Sequence, residues 1–321
     1  MDVFSQPTGP VIFLVRCMDE LSRSWYQREC QQRLREQQGK AFEDFFATIM
    51  ELAHPRDFQR SRPYGNQGDL KCDGYLSSQQ IVFQVYAPRT TKLADLLKKI
   101  RTDFAGALKD WEARMRTWVF VHNDHEGLPA KALQLIHDLA EKTGSVRTES
   151  WGPSDIQCLV LGLSPENLAR LLGPAPTLPS LDGLRFDRLR PILLNIKRQA
   201  PPPQADIRPV SPEKLYANAF STPVLDLLRM GRRKEALVSA LLSGWSDPTF
   251  GEEIAEGFRR RYAELKESAL TADEIFGELQ AFAGGSDVAR DPAHQAAVLA
   301  VLSYFFERCD IFEDRAEDTQ P

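Results

Sequence analysis

Apolar and polar residues alternate along the stretch from Gly65 to Pro88, and the alternation predicts a β-hairpin. Residues two apart share one face of a strand, so Asp69, Lys71 and Asp73 point one way while Leu70 and Cys72 point the other. In the returning strand Gln84 and Tyr86 alternate with Phe83 and Val85. A turn centred on Ser78 and Gln79 sets Asp73 across from Gln84 and Lys71 across from Tyr86, so polar groups converge on one face.

Helical spacing flanks this hairpin. The run from Asp19 to Leu52 reads as helix, divided at Gly39. Phe42, Phe45, Phe46 and Ile49 form its buried stripe, and Glu43 lies at the edge of that stripe, on the face of Phe46, Ala47 and Met50. After Pro88, a helix capped by Thr90 or Thr91 runs to about Met115, with Leu93, Leu96, Leu97, Ile100, Phe104 and Leu108 as its core stripe. WVFVHND then reads as a buried central strand. A helix from Leu128 to Lys142, a strand from Val146 to Trp151 and two short helices ending at Leu172 and Gly173 complete a mixed α/β sheet flanked by helices.

PAPTLPSLDG, from Pro174 to Gly183, marks a domain edge, dividing the chain into an α/β domain at 1–183 and an all-α domain at 184–321. The second begins with a helix from Leu184 to Gln199 and a stiff, proline-rich linker at 200–212. Helical segments follow near Pro212–Phe220, Thr222–Trp245, Gly251–Lys266, Ala272–Phe282 and Pro292–Cys309, and a polar tail closes the chain. No catalytic constellation stands out there, and Arg259, Arg260 and Arg261 read as a solvated helix face.

Composition adds limits. With 321 residues, 42% hydrophobic and 26% charged, the chain is of ordinary globular character, and a net charge of −5 does not advertise nucleic-acid binding. The five cysteines are scattered without a CxxC pair, which suits free thiols in a reducing compartment. His122 and His125 read as solvent-facing loop residues after the WVFV strand. No apolar run approaches the roughly 20 residues needed to span a bilayer, so a cytoplasmic protein without membrane contact is expected.

The hairpin, with Asp-Gly followed by Gln-x-Tyr, resembles the core of the PD-(D/E)XK, or restriction-endonuclease-like, nuclease superfamily. That resemblance implies an α/β nuclease-like fold and Mg²⁺-dependent cleavage of DNA. It makes Glu43, Asp69, Asp73 and Gln84 the metal ligands, since hard divalent cations take oxygen donors. Tyr86 stands where the superfamily carries a lysine, and a lysine that has moved to the next helix, Lys92 or Lys99, is the expected substitute in the catalytic set of Glu43, Asp73, Gln84, Tyr86 and Lys92. The C-terminal half, ending YFFERCDIFE, resembles the C-terminal domains of bacterial ABC three-component systems, proposed antiphage modules. It implies a defence effector joined through its helical domain to companion subunits or to a second copy. The alternative is a catalytically inactive nuclease fold serving as a scaffold or adaptor that binds partner proteins or nucleic acid.

Overall fold

The computed structural model describes residues 18–61, 71–90, 92–199, 220–285 and 291–308. Asp69, Cys17, Cys309, the linker, the lead-in and the tail lie outside them. The chain forms two compact units, one of residues 1–15 and 29–171, the other of 16–28 and 172–321.

Among the described residues of the first unit, five strands lie in the order of the chain: β1 (Phe58–Arg60), β2 (Gly74–Leu76), β3 (Ile81–Tyr86), β4 (Thr117–His122) and β5 (Arg147–Trp151). β1, β2 and β3 run antiparallel, and β3, β4 and β5 run parallel. The β2–β3 register pairs Gly74 with Phe83 and Leu76 with Ile81, the register expected from a turn at Ser78 and Gln79. β3 and β4 are buried almost throughout, as central strands covered on both faces must be.

One face of the sheet carries Val82, Trp118 and Phe120, packed with Leu96, Ile100 and Phe104 of α3 (Leu93–Trp111) and with Leu135 and Ile136 of α4 (Ala130–Thr143). On the other face Phe83 meets Phe46 of α2 (Lys40–Ala53) at 5.5 Å and Trp151 at 5.2 Å between ring centroids. α2 follows α1 (Glu20–Glu36) across Gly39, whose φ of 54° lies in the left-handed region that glycine adopts without steric cost. Gly74 has a different reason: a Cβ there would run into the Phe58 ring.

Several expectations need correction. Leu93, placed on the core stripe of α3, is exposed. It is the first residue of the helix, before the stripe meets the sheet. α3 ends at Trp111, and a 3₁₀ turn over Glu112–Arg114 precedes Met115. Cys72, expected opposite to Asp73, is fully buried in the α3-side cluster with Val82. Lys71 has a φ of 56°, and regular pairing begins only at Gly74, so strict alternation does not extend back through Cys72.

α5 (Pro153–Leu161) and α6 (Pro165–Leu172) follow β5. The second unit is helical: α7 (Leu178–Asp182), α8 (Phe186–Gln199), α9 (Thr222–Gly231), α10 (Glu235–Ser243), α11 (Phe250–Lys266), α12 (Ala272–Gly284) and α13 (Pro292–Arg308). The expected segment Thr222–Trp245 is thus two helices, separated by a 3₁₀ turn over Arg232–Lys234. α7 lies inside the stretch read as a turn-rich edge, because Thr177 accepts from Ser180 N–H and Pro179 suits a first turn. α13 is the hub: Ala296 to Leu302 are all at most 1% exposed, and a helix apolar all round must be enclosed. α8, α9, α10 and α12 pack on it. The start of α1 belongs here: Asp19 Oδ2 accepts from Leu178 N–H at 3.2 Å, and the Arg28 guanidinium lies over the Phe276 ring.

Candidate functional site

Asp73 precedes β2 and Gln84 lies in the middle of β3, and the antiparallel register brings them together. Gln84 is 3% exposed; its Nε2 donates to Asp73 Oδ2 at 2.6 Å. The same carboxylate oxygen accepts the Val85 backbone N–H at 2.7 Å. Gln84 Oε1 is buried and accepts no hydrogen bond among the described residues. Buried polar atoms are nearly always paired, so this oxygen marks an uncompensated cost.

Tyr86, two residues on, packs against the α3-side core, with its ring 6.0 Å from that of Phe120. The cation over it is Lys99, whose Nζ stands 6.0 Å from the ring centroid. Lys99 is held there by Asp103, a fully buried carboxylate 2.7 Å from Lys99 Nζ and 3.3 Å from Lys71 Nζ. These contacts are charge pairs and not well-aligned hydrogen bonds. Lys92 is exposed, one residue before α3. Asp103 was not singled out from sequence. Its signal was the i,i+4 spacing from Lys99 on a helix whose neighbouring positions are apolar.

Glu43 sits in the first turn of α2, ion-paired with Lys40, while the next residue, Asp44, pairs with Lys40 and Arg60. α2 packs through Phe46 onto Phe83, the sheet face opposite to Gln84 and Tyr86. Asp69 lies outside the described residues, and as arranged the other three, Glu43, Asp73 and Gln84, do not fit a resident divalent cation. Asp73 Oδ2 already takes two N–H donors, Gln84 turns its amide nitrogen toward that carboxylate, and Glu43 is paired with a lysine. Among the described residues no group of three or more His, Cys, Asp or Glu could hold a metal ion.

His122 is buried as the last residue of β4, correcting its reading as a solvent-facing loop residue. Its Nδ1 accepts the Asp124 N–H at 3.2 Å. Burial pushes its pKa down, opposed by the nearby charges of Asp124 and Asp155. Burial pushes the Cys30 thiol up to about 12, whereas Cys158 is exposed. In the second unit Arg259 is paired with Glu252 and Glu256, and Arg261 with Glu264 and Glu278, so this basic run is answered by acids on its own and a neighbouring helix.

The first unit is thus a mixed five-stranded α/β domain and the second a helical domain. Residues 187–313 match the family described as C-terminal domain 10 of the ABC-three component (ABC-3C) systems. Comparisons with curated proteins and with solved structures gave no match. Among the described residues no helix is long and apolar enough to cross a membrane.

Proposed function

We propose that the chain is a subunit of a bacterial ABC-3C antiphage defence system whose helical unit assembles with companion subunits. Its first unit is a nuclease-like fold retained as a binding element and not as a metal-dependent hydrolase. Membership in such a system is supported by the similarity at residues 187–313. The nuclease-like ancestry is supported by the order helix, three antiparallel strands, helix, parallel strand, with Asp73 and Gln84 paired across β2 and β3. The observation that carries the non-catalytic reading is the Oδ2 oxygen of Asp73, which already accepts from Gln84 and Val85.

Metal-dependent cleavage of DNA is the second reading, and the unpartnered Gln84 Oε1 favours it. With the amide turned over, Asp73 and Gln84 would both offer oxygen to Mg²⁺. Co-expression with the proteins encoded beside it tests the assembly role. Co-purification that depends on residues 184–321 supports the adaptor, and co-purification without them refutes it. Tyr86→Lys tests the site, because it restores the missing lysine. Cleavage of plasmid DNA gained in that variant with Mn²⁺ establishes the second reading, and its absence supports the first.

A further inference from the structure

We propose that the cavity at the carboxyl end of β5 is a binding site for a flat aromatic ring that carries an alkylammonium group. The cavity has a volume of about 600 Å³ and lies wholly within the first unit, walled by the end of α2, by Trp151 and by α5 and α6. That size falls among ordinary small-ligand sites, roughly 300–1,000 Å³. The cavity opens beyond the carboxyl end of β5, the edge strand of the sheet.

The lining selects the chemistry. Trp151 is fixed by two contacts, an Nε1–H donated to Glu149 at 3.1 Å and an edge-on approach to Phe83. Its polar atom is therefore used, and what it offers a ligand is the face of the indole. Leu52 and Leu159 supply apolar wall, so a planar ring is the natural filling. Among the described residues Asp155 is the one carboxylate of the lining, no lysine or arginine lines the cavity, and His54 adds an imidazole at its α2 end. One Asp155 oxygen accepts the Gly152 N–H at 2.8 Å, capping α5, and the other has no hydrogen bond among the described residues. A phosphate or carboxylate would meet no lysine or arginine here, only the His54 imidazole beside the Asp155 carboxylate, while an ammonium would meet Asp155 and the electron-rich face of Trp151. Cys158, exposed at the same cavity, supplies the reporter.

The test uses the full chain and two probes with the same ring and opposite charge, tryptamine and indole-3-propionate. Alkylation of Cys158 by N-ethylmaleimide is followed peptide by peptide, so the other cysteines do not interfere. Saturable, severalfold slowing by tryptamine but not by indole-3-propionate is the expected result. Asp155→Asn, which can still accept from Gly152 N–H, should abolish that preference. Leu159→Lys, which puts a cation into the cavity, should abolish slowing by tryptamine while the circular dichroism spectrum stays unchanged. Slowing by neither probe, or equally by both, overturns the proposal.

Discussion

The Gln84 side-chain amide donates to the Asp73 carboxylate at 2.6 Å across the β2–β3 hairpin, and the Val85 N–H reaches the same oxygen at 2.7 Å. In a metal site these side chains would repel one another or await a cation. Here they complete each other. Asp73→Ala should therefore destabilise the protein by about 1–3 kcal/mol, the cost of leaving buried donors unpaired. Urea denaturation checks this. A melting temperature unchanged or raised in the variant is the behaviour of a carboxylate cluster lacking its cation.

Gly74→Ala should cost about 1–3 kcal/mol or more, because the new methyl group would overlap the Phe58 ring that packs on Phe83. Phe58→Leu should recover part of the loss in the double variant, since it withdraws the obstructing ring. Thermal melts of the single and double variants decide. Additive losses would mean that Gly74 matters for another reason.

The hairpin register was legible because four polar residues separate two patterned runs, and the mixed sheet flanked by helices followed from the alternation of strands with helices, but the short edge strand β1 was not read from the sequence. Asp103 was not legible in the same way. A carboxylate at 0% exposure on an apolar stripe is explained only by the two lysines that converge on it, and Lys71 comes from a distant part of the chain. The burial of His122 was hidden because a strand's last residue and a loop's first look alike in sequence. Nor could spacing show that residues 16–28 group with the C-terminal helices while the rest of α1 groups with the sheet. The hydrogen bond from Leu178 to Asp19 joins residues 159 positions apart.

Asp103→Asn should lower stability by about 1–2 kcal/mol and make what remains less sensitive to salt, since both lysines lose the Asp103 charge. Denaturation at low and high ionic strength reads both effects. If Lys99 is held in place by Asp103, the same variant also alters the fluorescence or ultraviolet absorbance of Tyr86 beneath it.

Stability should fall as pH drops below about 6.5, the ordinary histidine value. Burial holds folded His122 below that value, so between its folded pKa and 6.5 the unfolded chain binds the extra proton. Of the groups facing it, Asp124 and Asp155 offset part of the downward shift without reversing it, and His125 adds to it. His122→Gln should flatten this part of the stability profile. Denaturation from pH 7.5 to 5 for both proteins compares them, and parallel profiles would show that His122 does not carry the effect.

Titration of Mn²⁺ into the full chain by calorimetry, with plasmid and linear DNA digested in parallel, bears most directly on the role of the hairpin. A structural Asp73–Gln84 pair gives no stoichiometric binding that Asp73→Ala removes, and no metal-dependent cleavage. Stoichiometric Mn²⁺ binding lost in Asp73→Ala together with cleavage of either DNA would contradict it and make the first unit a working nuclease.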